Sequence, residues 1–70
     1  MDRVKVSASK FRSVGYDPAT QTLEVEFNDG GVMQYSRVPR DLHRRFMDSA
    51  SKASFFEDHI QEGFTPRRIR

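Results

Sequence analysis

Apolar and acidic residues alternate strictly over residues 23–27, where Glu24 and Glu26 separate three apolar side chains. Successive side chains of a β-strand point to opposite faces of the sheet, so this alternation predicts a strand with one buried and one solvated face. A second apolar segment, residues 32–35, follows after a short polar stretch with two glycines. This spacing is typical of a β-hairpin.

The turn of this hairpin decides which side chains face the core. A two-residue turn would pair Val25 with Gln34, whereas a three-residue turn over residues 28–30 pairs Val25 with Met33. A shift of one residue moves every side chain to the other face. We predict the three-residue turn, with a glycine in the left-handed conformation, because it puts Met33 and Tyr35 on the apolar face.

An earlier strand and a later helix flank the hairpin. Residues 11–16 form a β-branched and aromatic run that ends at Asp17-Pro18, a pair that favours turns. Pro39 fits the first turn of a helix. The apolar stripe of that helix is predicted to follow helical spacing, with these members: Leu42, Phe46, Met47 and Ala50.

A second helix is predicted over residues 55–61, with its apolar face around Phe56. Ser54 and Glu57 have the spacing of a capping box, in which Ser54 caps the helix and Glu57 reaches back. Gly63 is expected to end the helix in the left-handed conformation.

These elements predict an α+β fold: a three-stranded antiparallel β-meander followed by two α-helices packed on one face. The pattern leaves open whether a terminus adds an edge strand, either around Val4 and Val6 or from the tail after Pro66. Seventy residues make one domain. We expect its core over residues 10–68, with flexible ends at 1–9 and 69–70.

Composition excludes several classes of function. Cysteine is absent, so a disulfide, a thiolate nucleophile and a cysteine-bound zinc are excluded. His43 and His59 lack the spacing of a metal site, and no nucleophile elbow or glycine-rich phosphate loop is present. No apolar run is long enough to span a bilayer. We therefore expect a cytoplasmic, non-catalytic protein that uses no cofactor or metal, acts on no small-molecule substrate and does not enter a membrane.

The charges are distributed unevenly. Residues 1–36 carry four cationic and five acidic side chains, whereas residues 37–70 carry eight cationic and five acidic ones. Arginine dominates the second half, and its planar guanidinium suits contacts to phosphate. The candidate nucleic-acid-binding residues are the arginines before and within the first helix and those of the tail: Arg37, Arg40, Arg44, Arg67, Arg68 and Arg70. We expect the outer sheet face, with Glu24 and Glu26, to repel RNA.

Several segments in order along the chain resemble the KTSC domain family. They are Ser13-Val-Gly-Tyr-Asp-Pro18, Leu23-Glu-Val-Glu-Phe27, Val32-Met-Gln-Tyr35 with Val38-Pro39, and Ser51-Lys-Ala-Ser-Phe-Phe56. The family takes its name from the C-terminus of some lysyl-tRNA synthetases and includes small free-standing bacterial proteins. Its central motif is two tyrosines separated by one residue, and Met33 replaces the first of them here. Met33 and Tyr35 are predicted to have structural roles.

Two functional hypotheses follow from these observations. The first is a small binding module with weak, electrostatic affinity for RNA, which the resemblance to synthetase domains also implies. The second is a protein-interaction or accessory module, including self-association, because so small a core leaves apolar area for a partner.

Overall fold

A computed structural model describes residues 2–6 and 8–70 and shows a five-stranded antiparallel sheet with two helices. The elements are β1 (Arg3–Lys5), β2 (Phe11–Asp17), β3 (Thr22–Phe27), β4 (Val32–Tyr35), α1 (Arg40–Asp48), α2 (Lys52–His59) and β5 (Pro66–Arg68). The strand order in the sheet, β1-β2-β3-β4-β5, follows the order along the chain. The α+β class, the central meander and the two helices are confirmed. The sheet is larger than predicted, because each end of the chain adds an edge strand.

The β3–β4 hairpin has the predicted register. Leu23 pairs with Tyr35 and Val25 with Met33, across a turn in which Gly30 has a φ of +92°. On the other face, the Gln34 side-chain amide donates to Glu24 Oε1 at 2.9 Å. The alternation of apolar and polar residues was therefore sufficient to fix both faces of this hairpin.

The core lies between the sheet and the helices, on what we call the inner face. Its fully buried members come from β2, β3, the β4–α1 connection, α1 and the residue that follows α2: Phe11, Val14, Leu23, Val25, Val38, Phe46 and Ile60. Phe56 of α2 lies at the centre of the aromatic packing, 5.0 Å from the Phe11 ring and 5.4 Å from the Tyr35 ring between centroids. Edge-to-face contacts of this kind add stabilisation beyond the buried area.

The ends of the helices differ from the sequence prediction. Helix α1 ends at Asp48, because Ser49 takes an extended conformation and its hydroxyl donates to the Phe46 carbonyl. Ala50 therefore lies outside the helix and is exposed, so its assignment to the apolar stripe was wrong. Helix α2 begins at Lys52 after Ser51, three residues earlier than predicted.

The predicted capping box of α2 is also wrong. Ser54 lies inside the helix, and Glu57 pairs with Lys10 Nζ at 2.7 Å instead of reaching back to the helix start. The helix ends at His59, and Gly63 does not have a positive φ. Neither described helix is long and apolar enough to cross a membrane.

Candidate nucleic-acid interface

The predicted arginines near α1 lie on exposed surface at one end of the sheet. Arg37 occupies the turn after β4 with a φ of 63°, and the next amide, that of Val38, donates to the Gln21 carbonyl at 2.9 Å. This hydrogen bond places the turn at the end of the sheet where β2 connects to β3. Arg40 and Arg44 follow in the first turns of α1.

Two of these three arginines are available to an external anion. Arg44 Nη2 lies 2.5 Å from Asp41 Oδ1, one turn earlier on α1. Within the described part of the chain, Arg37 and Arg40 have no ion-pair partner. Their charges are therefore not offset by a neighbouring carboxylate.

The tail arginines are divided between the two faces of the sheet. Arg67 pairs with Gln34 on β4, and Arg68 pairs with Met33. Because cross-strand partners share a face, Arg67 lies on the outer face and Arg68 on the inner face. In residues 2–6 and 8–70 neither has an acidic partner.

Arg70 lies at the hairpin end of the sheet, opposite to the end that carries Arg37. Its Nη2 is 3.1 Å from Glu26 Oε2, and its Nε donates to the Gly30 carbonyl at 3.1 Å. The amides of Ile69 and Arg70 both donate to the Val32 carbonyl. The six predicted arginines therefore do not form one cluster, and the structure places them at two ends and on two faces.

The two glutamates of the outer face are neutralised by residues that sequence analysis did not associate with them. Arg3 Nη1 lies 3.2 Å from Glu24 Oε2. Glu26 accepts a hydrogen bond from the Ser13 hydroxyl at 2.8 Å and lies 3.9 Å from Arg12 Nη1. The Ser13 hydrogen bond, and then the nearby arginines, lower the pKa of Glu26 despite its partial desolvation.

The two glutamates from which the sequence predicted repulsion of RNA are thus ion-paired on the outer face. Strand pairing places five cations on or beside this face: Arg3, Lys5, Arg12, Arg67 and Arg70. The acidic residues of this face are Glu24, Glu26 and Asp17, with Asp2 at the edge. Arg3 and Lys5 are separated by Val4 in the sequence. In a strand this spacing puts the two cations on one face, so the sequence could have indicated that they lie together.

The same face lacks aromatic rings. Its paired positions in the described strands are Arg3, Lys5, Ser13, Gly15, Asp17, Thr22, Glu24, Glu26, Val32, Gln34 and Arg67. Proteins that bind single-stranded RNA by stacking need exposed rings on such a surface. The outer face is therefore suited to contacts with phosphate and not to stacking with bases.

The inner face has an opening of about 280 Å³ beside β4 and β5, which we call the Met33 cleft. Its apolar lining residues are Phe27, Val32, Met33, Tyr35 and Phe56, and its cationic lining residues are Lys10, Arg68 and Arg70. Both positions of the family motif therefore line this cleft. Sequence analysis did not identify it, because its residues are distributed from position 10 to position 70.

The two tyrosines have different surroundings. The Tyr16 hydroxyl donates to the Val38 carbonyl at 2.5 Å, and its ring stacks on His43 at 4.3 Å. The Tyr35 ring is buried, yet among the described residues its hydroxyl has no hydrogen-bond partner. Burial raises the pKa of Tyr35, so the hydroxyl stays protonated and remains a donor.

No group of three or more histidine, cysteine, aspartate or glutamate residues in the described ranges has the geometry of a metal site. His43 is stacked on Tyr16, and burial lowers its pKa. His59 contacts the Phe55 ring at 4.5 Å between centroids. Both histidines thus have packing contacts in place of ligands.

These features define a class: a small α+β domain with a one-sided meander sheet, a charged outer face and an open cleft at its last strand. The KTSC domain family matches residues 7–64. The chain belongs to this family.

The relatives fall into two kinds. An uncharacterized protein from Stutzerimonas stutzeri is 36% identical over 70 residues, which cover all of this chain and 93% of that protein. A lysine–tRNA ligase from a Nostoc species is 31% identical over 61 residues, which cover 87% of this chain and 11% of the ligase. The match to the ligase is thus confined to one domain-sized part of it.

A solved structure has the same fold along almost the whole chain. The crystal structure of a KTSC domain protein from Yersinia pestis superposes with a TM-score of 0.95 at 40% identity. The match covers 99% of this chain and 97% of that one. Both edge strands lie outside the residues matched by the family model, whereas the superposition with this structure covers almost the whole chain.

Proposed function

We propose that this protein is a non-catalytic, cytoplasmic module that binds RNA weakly through phosphate contacts. The observation that carries the proposal is that four of the six predicted arginines are exposed and have no acidic partner among the described residues: Arg37, Arg40, Arg67 and Arg68. Arg45 is also exposed and unpaired in this part of the chain, but its guanidinium packs over the Phe55 ring. Exposed arginine that is not paired within the protein gains most from an external phosphate, since no internal ion pair has to be broken.

The comparison with lysine–tRNA ligases supports RNA as the anion. These ligases contain a segment 31% identical to this chain, and their name gives tRNA as their substrate. Membership of the same family does not transfer that activity, because the matched segment is 11% of the ligase. It does favour a nucleic acid over other polyanions as the partner.

The arrangement of charges favours binding without sequence selection. Phosphate contacts position a protein on a nucleic acid, whereas base contacts give specificity. The four arginines lie on exposed surface at separate places, and the outer sheet face between the edges adds further cations. We therefore expect modest affinity that depends strongly on salt.

The alternative of a protein-docking surface receives less support from the structure. The large apolar side chains that are exposed in the described chain are Val4 and Ile69. They belong to opposite edges of the sheet, so they do not form one continuous patch. Apolar residues exposed singly are normal on a protein surface.

Fluorescence anisotropy with a labelled single-stranded RNA and a labelled tRNA tests the proposal. Each phosphate contact adds about 0.7 to the slope of the logarithm of the binding constant against the logarithm of the salt concentration. With four such contacts, the affinity for the single strand should fall about fiftyfold between 50 and 200 mM salt. The double variant Arg37→Ala/Arg40→Ala should bind more weakly than wild type and show a shallower slope.

Arg45→Ala is the matched control, because Arg45 lies on α1 and its guanidinium packs 5.8 Å from the Phe55 ring centroid. It removes one charge from the same helix at a position outside the predicted set. Absence of salt-dependent binding in wild type would contradict the proposal. Equal losses per charge for Arg45→Ala and the double variant would show that only net charge matters.

A further inference from the structure

The Met33 cleft combines an apolar lining with a cation at its edge. Phe27 and Met33 are half-buried, while Tyr35 and Phe56 are buried and reach the cleft only through the small part of each that is exposed, 4% and 2%. A volume of about 280 Å³ is close to the lower end of small-ligand pockets, about 300 Å³. The cleft is therefore of a size for one ring system with its substituents.

Arg68 is the cation of this cleft that is available to a ligand. Lys10 Nζ is held by Glu57 at 2.7 Å, and Arg70 Nη2 by Glu26 at 3.1 Å. Arg68 lines the cleft beside Met33, its cross-strand partner, and has no ion pair in the part of the chain described. Its planar guanidinium can contact a phosphate and also cover the face of a base.

The acidic side chain that lines the cleft, Asp29, is already engaged. Its Oδ1 accepts a hydrogen bond from the Gly31 amide at 2.9 Å within the β3–β4 turn. That bond holds the carboxylate against the backbone of the turn. The Asp29 carboxylate keeps its charge, and Arg68 is the cation that pairs across the strands with Met33.

The Tyr35 hydroxyl supplies a directional contact. No side-chain polar atom of the described residues is both buried and unpartnered. Because the Tyr35 hydroxyl has no partner among them, it must be accessible, and the residue lines the cleft. Pockets of this kind use a few placed polar groups within an apolar lining to orient a ligand.

We propose that the Met33 cleft binds one unstacked nucleobase of the RNA, with the adjoining phosphate on Arg68 and the Tyr35 hydroxyl donating to the base. This inference rests on the proposed function and adds to it a base contact beside Arg68, one of the four exposed arginines. The thioether of Met33 supplies a polarisable surface for the ring. The charge complementarity at Arg68 favours a phosphate-bearing occupant over a neutral one.

The experiment compares two oligonucleotides of equal length and equal phosphate number, one with bases and one with abasic spacers. Wild type should bind the base-bearing chain about tenfold more tightly, since contact with one stacked base is worth about that factor. Arg68→Ala and Tyr35→Phe should each reduce this ratio severalfold. Thermal unfolding of each variant shows whether it remains folded.

Arg67→Ala is the matched control, since Arg67 is the adjacent residue on β5 but lies on the other face. It should weaken binding of both chains by the same factor and leave the ratio unchanged. As a second measurement on wild type, a titration with a nucleoside monophosphate should shift the backbone amide resonances of residues 31–35 and 67–70.

The outcomes separate the two proposals. Equal affinity of wild type for both chains, with salt dependence retained, overturns the cleft proposal and leaves the phosphate-binding function in place. A base preference that survives unchanged in Arg68→Ala and Tyr35→Phe also overturns it, because the base is then bound elsewhere. Failure to bind either chain overturns both.

Discussion

Gly30 shows how a single residue determines which face of the sheet each side chain occupies. Its φ of +92° closes the three-residue turn of the β3–β4 hairpin, and the Gly30 amide donates to the Phe27 carbonyl at 3.0 Å. A side chain at this backbone conformation is strained even though the space around the position is open. The same turn keeps Met33 and Tyr35 on the inner face.

Gly30→Ala should therefore lower the free energy of unfolding by about 1 kcal/mol, through backbone strain and not through a clash. Gly63→Ala is the control, because Gly63 lacks a positive φ and its added Cβ meets only an ordinary contact, 3.5 Å from the His59 carbonyl. Gly63→Ala should change the free energy of unfolding by less than about 0.5 kcal/mol. Urea unfolding of both variants measures the difference, and equal losses would contradict the argument.

At the scale of elements, helix α2 is attached to the sheet mainly through Phe56. Its ring lies within 6.4 Å, between centroids, of four other rings: those of Phe11, Phe27, Tyr35 and Phe46. The side chain is 2% exposed. Removal of such a ring deletes its buried apolar contacts and leaves a cavity.

Phe56→Ala should lower the free energy of unfolding by about 3–5 kcal/mol. A domain of this size has a net stability of only a few kcal/mol, so the variant should be largely unfolded at 25 °C. Phe55→Ala, at the half-buried neighbouring position, should remain folded with a smaller loss. Circular dichroism on heating distinguishes them, and a cooperative transition for Phe56→Ala within a few degrees of wild type would contradict this account.

The elements also show which parts of the fold a sequence determines locally. Residues 23–27 assign each side chain to a face by their own alternation, so the hairpin register was predictable. The start of α2 was not, because Ser51 and Ser54 both suit a helix start and packing of the helix on the core decides between them. Strand β5 contains a proline and two arginines, which no strand pattern favours, and it forms by pairing with β4.

The candidate site likewise has features that the local sequence predicts and features that depend on tertiary pairing. Arginines suited to phosphate were identifiable by residue type, but their separation onto two faces depends on the pairing of β5. The ion pairs of Glu24 and Glu26 join positions far apart in sequence, such as Arg3 with Glu24 and Arg70 with Glu26. Tertiary pairing of this kind leaves no periodic pattern in the chain.

At the scale of the whole molecule, Glu26 connects β2, β3 and the tail across the outer face. It contacts the Ser13 hydroxyl, Arg12 and Arg70. These contacts lower the pKa of Glu26 below its ordinary value, with the Ser13 hydrogen bond as the largest cause. A carboxyl group with a lowered pKa in the folded state stabilises that state at neutral pH.

This linkage has a definite sign. The contribution of Glu26 is complete above its unfolded pKa of about 4.5 and is lost as the pH falls through the lower pKa of the folded state. Between pH 6 and pH 3, the free energy of unfolding should therefore fall less in Glu26→Gln than in wild type. Ser13→Ala should also make this fall smaller than in wild type, because the Ser13 hydrogen bond is the largest cause of the lowered Glu26 pKa. Urea unfolding at the two pH values measures it, and an unchanged fall in Glu26→Gln would refute the assignment.

The pairing of β5 with β4 has a kinetic consequence. The hairpins β2–β3 and β3–β4 join neighbouring segments, whereas Met33 meets Arg68 only after both helices have been traversed. Closing a longer loop costs more entropy, so this edge completes the sheet after the meander and is among the first parts to open. The proposed nucleotide would contact both β4 and β5. A change that shortens the lifetime of the β4–β5 pairing should therefore also shorten the residence time of the nucleotide.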